Sequence, residues 1–308
     1  MMKSPSIVNY EIRPCKFTER RILLSSFISI VNRINKEYQY IGFGGLAFTD
    51  FKLFHKELGI NRMFSIEACY KPSKIEFNKP YSCIEVLHQL AGQALMKIDL
   101  SKPSIVWLDY DGFLELEMFE DIACLLRKLP AGSIYVLSCR SELDNNELSC
   151  PYKKKELEQR FKGLVPFDLE EDCCTKEHRC STIKQMIDKY TSKIISERND
   201  YGDSISYKSL YNYRYCDGAE MFTTGGIILG GDITEDFLDT CRTEFVGNEI
   251  IDISFPILTH RETLRLNQIL GNTEAEQALI NEGIIKSEQI ESYKKFYKYM
   301  PNFYDVRL

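Results

Sequence analysis

The stretch that most narrows what this chain can fold into is residues 38–68, YQYIGFGGLAFTDFKLFHKELGINRMFSIEA. It reads as a short apolar strand, a glycine knot, a helix, a turn at Gly59 and a second apolar strand ending in an acid, Glu67. That order is the βαβ opening of a parallel α/β sheet built to hold a nucleotide. Gly42, Gly44 and Gly45 stand where the strand hands over to the helix, and residues without Cβ allow both a tight turn and close approach of a ligand to the backbone. Amides at the start of the helix then point at an oxygen-rich ligand. Leu46, Phe51, Phe54 and Leu58 recur at helical spacing, and Gly59 is a natural stop. Glu67 follows the glycines by roughly twenty residues, where an acid can accept hydrogen bonds from both hydroxyls of a ribose.

The rest of the chain extends this pattern. A strand is expected over residues 7–12, then a helix capped by Thr18, with Glu19 and Arg20 in its first turn and Ile22, Phe27, Ile30, Val31 and Ile34 as its apolar stripe. After Glu67 the spacing predicts a loop broken by Pro72 and Pro80, a strand over 83–87 with Glu85 facing solvent, and a short helix over 88–96. The apolar run 104–108 (SIVWL) ends in Asp109, Tyr110, Asp111 and Gly112. Two acids at the carboxyl end of a buried strand sit where open α/β sheets place their ligands. A helix over 115–129 and a strand over 134–137 follow, and strand–helix alternation implies a parallel sheet with helices on both faces.

Residues 141–203 form a charged, helical insertion. Two strands flanking Asp217 and Gly218 then make an antiparallel hairpin, with 222–229 returning and Gly225 and Gly226 marking a bulge or bend in it. Helices are expected over 234–244, 261–270 and, in pieces, 281–299. The domain reading is a sheet domain over 1–232 and a helical C-terminal region over 233–308.

Composition sets the bounds. The chain has 308 residues, 44% hydrophobic and 27% charged, enough to bury a sizeable core. A net charge of −6 supplies no basic field for gripping phosphate backbones, so nucleic-acid binding is not supported. No apolar segment nears the about twenty residues of a membrane span, and the opening MMKSPSIVNYEIRP has no apolar signal core. The expected setting is therefore cytoplasmic and away from membranes. The 11 cysteines are scattered. Cys173, Cys174, His178 and Cys180 lie in DCCTKEHRC, but adjacent cysteines seldom share one zinc and no second CxxC pair accompanies them, so no metal is expected there.

At this point the residues carry a resemblance. YIGFGG, the acid of FSIEA, the LDYDG strand end and the closing hairpin are similar to class I methyltransferases that use S-adenosylmethionine. IRPxKxxERR, YIGFGGLAFTDFKLFHKELGI, MFSIE, EFNKPYSCI, WLDYDG and CDGAEMFTTGG, over about residues 10–230, resemble bacterial proteins labelled O-methyltransferases. The resemblance implies a Rossmann-like methyltransferase sheet, mostly parallel with a C-terminal antiparallel hairpin, helices on both faces and a helical C-terminal appendage. It implies that Gly42, Phe43, Gly44 and Gly45 contact S-adenosylmethionine, that Glu67 holds its ribose, and that Asp109 and Asp111 lie at the reacting end, with Asp109 also touching the cofactor. One departure is plain: the family has an acid two residues before the first glycine, and this chain has Tyr40. The acceptor is unidentified, with a partner protein or a second copy as candidate associates, and the resemblance points to anti-phage or mobile-element settings.

Three readings stay open. A methyltransferase would use Asp109 or Asp111 to take the acceptor's proton or to bind Mg2+, a cation suited to paired oxygen ligands. Glu67, Asp109 and Asp111 also resemble the acidic layout of Toprim magnesium nucleases. A Rossmann-like binding or assembly subunit that has lost catalysis is the third.

Overall fold

The structure, a computed structural model, describes residues 13–143 and 153–301. The strand expected over 7–12 lies outside them. The first strand, β1 (Gln39–Gly42), lies between β2 (Met63–Ile66) and β4 (Ser104–Asp109), and both pairings are parallel. β3 (Ile84–Leu87) pairs with β2, and β5 (Ile134–Arg140) with β4, again in parallel. β7 (Glu220–Gly230) runs antiparallel between β5 and β6 (Ile205–Cys216). The full order is β3-β2-β1-β4-β5-β7-β6-β8, the mostly parallel sheet with a reversed hairpin that the resemblance implies.

Alternation along the strands divides the core in two. Ile41, Val106, Leu108 and Leu137 point to one face and pack against α4 (Ala91–Leu95), α5 (Leu116–Leu126), α6 (Lys154–Phe161) and α7 (Arg179–Asp200). Tyr40, Ile105, Trp107 and Val136 point to the other, under α1 (Pro14–Ile34), α2 (Thr49–Leu58) and α3 (Pro72–Asn78). With side chains alternating at period two, a buried parallel strand must be apolar on both faces, and these strands are.

Four local readings are corrected. Helix α1 starts at Pro14, ahead of Thr18, because its cap comes from far along the chain: Cys15 N and Lys16 N donate to the Asp217 carboxylate at 3.1 and 2.8 Å. Thr18 instead donates its hydroxyl to the Tyr299 carbonyl. Pro72 opens α3 at its first turn, where a missing N–H costs nothing. The register shift lies in β6, between Ser209 and Tyr211, opposite the glycines of β7. β8 (Ile251–Ile253), too short to show a period in sequence, joins the sheet parallel to β6, and the Arg214–Asp252 ion pair spans the two.

Beyond β7 come α8 (Glu235–Thr240), α9 (His260–Ile269), α10 (Thr273–Asn281) and α11 (Ser287–Phe296). α9 to α11 close a small core of their own around Leu266, Leu279, Ile290 and Tyr293, while Phe296 reaches the sheet core. Among the described residues no helix is long and apolar enough to cross a membrane. Removing the remote cap should be measurable: Asp217→Ala is expected to lower stability by about 0.5–2 kcal/mol, read as a lower thermal midpoint. An unchanged midpoint would mean that water replaces the carboxylate at no cost.

Candidate active site

The pairing register fixes the site. Gly42 sits opposite Ser65 on one side and Trp107 on the other. Gly44 follows β1, Glu67 follows β2 and Asp109 ends β4, so all three stand at the carboxyl ends of three adjacent parallel strands. Phe43 and Tyr110 bridge the two flanking loops, ring edge to ring face with centroids 4.9 Å apart.

The glycines earn their places mainly through internal packing. A Cβ on Gly42 would lie 2.6 Å from the Tyr40 hydroxyl and 3.0 Å from the Trp107 carbonyl. One on Gly44 would meet Ser65 Oγ at 2.5 Å and the Phe48 ring at 2.7 Å. Gly45 is the glycine of the loop that faces open space, and its φ of +54° is left-handed. Gly44 N also donates to Ser65 Oγ at 3.2 Å.

Tyr40, in the position where the resemblance expects an acid, is fully buried, and its hydroxyl has no protein partner. Burial, aided by the carboxylates of Asp50 and Asp109, pushes the phenol well above its ordinary range, so it stays neutral. Glu67 is buried too, and its Oε1 accepts the amides of Cys69 at 2.6 Å and Tyr70 at 3.2 Å, which fixes the carboxylate at the strand end.

Asp109 belongs to a cluster that sequence reading missed. The Lys16 ammonium, 1% exposed, donates to Asp109 Oδ1 at 2.6 Å and to the Tyr215 hydroxyl at 3.1 Å. It lies 2.8 Å from Glu19 Oε2 and 4.3 Å from the centre of the Trp107 ring. Thr223 donates to the other oxygen of Glu19, and Thr223, Ser138 and Trp107 Nε1 continue as one hydrogen-bonded chain across β7, β5 and β4. Arg20 pairs with Asp50 beside it. Burial works against the Asp109 charge, but Lys16, Arg20 and Arg13 outweigh it and hold the carboxyl below its ordinary value. Glu19 is pushed the other way, chiefly by burial and further by Asp109. The usable signal in sequence was the three-residue spacing of Lys16 and Glu19.

Asp111 is placed differently from Asp109. It is exposed, two residues past the strand, in a loop held to β5 by Arg140, whose Nε donates to the Asp111 carbonyl at 3.0 Å.

Among the described residues no group of three or more His, Cys, Asp or Glu side chains could hold a metal ion. Cys173 and Cys174 face each other at 3.7 Å, and His178 turns to Asp172. At the sheet rim the Lys16 ammonium takes the place beside Asp109 that a divalent cation would need, and Glu67 is tied to its own loop. The alternatives of a bound Mg2+ and of a Toprim layout of Glu67, Asp109 and Asp111 thus find no support among the described residues.

A mostly parallel sheet of this order with a reversed hairpin defines a Rossmann-like methyltransferase fold. The chain belongs to the family described as "Putative O-methyltransferase", whose model matches residues 8–308. No curated protein matches it by sequence. Similar solved structures include Trm1 from Pyrococcus horikoshii with S-adenosyl-L-methionine, at 11% identity and a TM-score of 0.45, covering 77% of this chain and 59% of that one. An S-adenosylmethionine-dependent methyltransferase from Clostridium acetobutylicum is 10% identical with a TM-score of 0.37, covering 68% and 91%. An O-methyltransferase family protein from Burkholderia thailandensis is 9% identical with a TM-score of 0.36, covering 70% and 58%. These likenesses are distant, and the chain spans 59% of the Trm1 chain's length. The family match and the strand order stand without them.

Proposed function

We propose that this chain transfers a methyl group from S-adenosylmethionine to a hydroxyl oxygen of its acceptor. The observation that carries the reading is the placement of the glycine loop, Glu67 and Asp109 at the carboxyl ends of the adjacent parallel strands β1, β2 and β4, in a chain of the O-methyltransferase family. The residues fit the cofactor: a glycine loop open at Gly45, a fixed carboxylate at Glu67, and a buried hydroxyl on Tyr40 without a protein partner. Gly42 to Gly45 with Phe43 would hold its amino acid part, and Glu67 its ribose hydroxyls. When bound, S-adenosylmethionine supplies a sulfonium whose methyl is already electrophilic, so the protein's share is proximity and alignment. Asp109, ionised at the rim, orients the acceptor hydroxyl and takes its proton. Asp111, at the solvent side of the same loop, faces the acceptor's entry.

The test is cofactor binding. Trp107 is the sole tryptophan and lies under the site, so titration with S-adenosylmethionine should give a saturable fluorescence change matched by calorimetry. Glu67→Gln should weaken binding about tenfold to a hundredfold, the scale of hydrogen bonds to a charged group. Absence of binding by the unaltered protein would sink the reading.

A further inference from the structure

Two carboxylates share one ammonium in this structure, and they are not equivalent. Asp109 stands at the strand end with its side chain 11% exposed, and Lys16 donates to it at 2.6 Å. Glu19 is sealed in the core at 0% exposure, 2.8 Å from the same ammonium. Around Glu19 stand Lys16 from α1, Asp109 from β4, Tyr213 and Tyr215 from β6, and Thr223 from β7, which donates its hydroxyl. Arg20 and Arg13 also act on Asp109 from nearby, but Arg20 is paired with Asp50 and Arg13 with Asp217, so the Lys16 ammonium faces two carboxylates, of which Asp109 is the partly exposed one. A second charge in the core would go uncompensated, which costs far more than holding a proton there.

We propose that Lys16 and Glu19 are positioning residues for proton removal: Lys16 gives its charge to Asp109, Glu19 holds a proton, and Asp109 is thereby the ionised member of the pair, able to act as the base. The proposal rests on the methyltransferase reading above. In the step it serves, the acceptor's O–H bond breaks, its electron pair stays on oxygen to form the new O–CH3 bond, and the proton goes to Asp109 and on to solvent. Lys16 and Glu19 keep their protons throughout. The opposite shifts of the two carboxyls, Asp109 down and Glu19 up, agree with this division, and a pair pushed apart in this way is how acid and base roles are separated.

The test is infrared spectroscopy of the whole protein at neutral pH. The unaltered chain should show the carbonyl stretch of a buried protonated carboxyl. Glu19→Gln, which keeps the shape, should remove that band, Asp109→Asn, which frees the ammonium for Glu19 and takes away a like charge, should weaken it, and Thr223→Val should shift it by taking away a hydrogen bond. No band in the unaltered protein, or a band that survives Glu19→Gln, would overturn the assignment. If the Glu19 variant proves unstable, the Thr223→Val shift decides: a band that does not move is not that of Glu19. Calorimetry with S-adenosylmethionine separates the two levels. A chain that binds the cofactor but lacks the band refutes only the proton assignment, whereas a chain with the band that binds no cofactor refutes the methyltransferase role and with it the task given to these residues.

Discussion

Lys16→Met is expected to cost about 3–5 kcal/mol of stability, the effect of removing one partner from a buried ion pair. The loss is large because the ammonium serves several groups at once: it donates to Asp109 and Tyr215, contacts Glu19, and sits over the face of Trp107. Methionine fills much of the space but leaves Asp109 charged in a site that burial already disfavours. At about 2–4 °C per kcal/mol for chains of 150–250 residues, the thermal midpoint should fall by on the order of 10 °C. The pH dependence has a definite sign. Asp109 is held below its ordinary value of 3.8, so its pairing contributes above that value and is lost as pH falls through the lowered one. Glu19, raised from 4.5, works oppositely, and its contribution weakens as pH rises from there toward its raised value. The deficit of the Lys16 variant should therefore be greatest near neutrality and narrow only as pH falls through the lowered value of Asp109, below which that carboxyl is protonated with or without its partner. Melts at several pH values check this, and a midpoint within a degree or two of the unaltered protein at neutral pH would contradict it.

The same cluster marks the limit of what sequence can convey. β1, its glycines, Glu67 and the acids after β4 were legible because each signal is local: an apolar run, a turn, and an acid at the run's end. The parallel character of the sheet followed from strand–helix alternation, since a parallel crossover needs a helix between strands. Glu19 was read only as part of a helix's first turn and Lys16 only as a residue ahead of its cap, because their meaning lies in contacts 93 residues away at Asp109 and 204 residues away at Thr223. The cap of α1 failed for the same reason: a local rule chose Thr18, while a carboxylate 201 residues on at Asp217 does the work. Pro72 was ambiguous in principle, since proline both breaks a helix and begins one. The glycine loop was placed correctly, but part of its purpose was hidden: Gly42 and Gly44 make room for Tyr40, Trp107, Ser65 and Phe48, which no reading of spacing reveals.

Gly226→Ala should be nearly as damaging as losing Lys16, and for a purely steric reason. The added Cβ would lie 2.0 Å from the Lys208 carbonyl oxygen, 2.8 Å from its carbon and 2.9 Å from Ser209 Cα. All three atoms are backbone of β6, so no side chain can swing away. β7 is clamped on its other side as well, since a Cβ on the neighbouring Gly225 would lie 2.3 Å from the Tyr135 carbonyl of β5. Relief must come from parting β6 and β7 beside the register shift, and overpacking of a core typically costs about 1–3 kcal/mol or more. With rigid backbone on both flanks, the upper end, about 3 kcal/mol, is expected. The strain also reaches the site, because Thr223, three residues earlier on β7, donates to Glu19, and the hairpin tip carries the Asp217 cap of α1. Gly226→Ala should thus loosen both the cap and the Glu19 carboxyl, so that cofactor affinity and the infrared band change along with stability. Gly163→Ala is the matched control: that glycine is exposed, meets nothing within 4 Å, and should stay within about 0.5 kcal/mol. Equal midpoints for the two variants would show that β6 and β7 can separate freely, and that the hairpin does not hold the proton-bearing cluster in place.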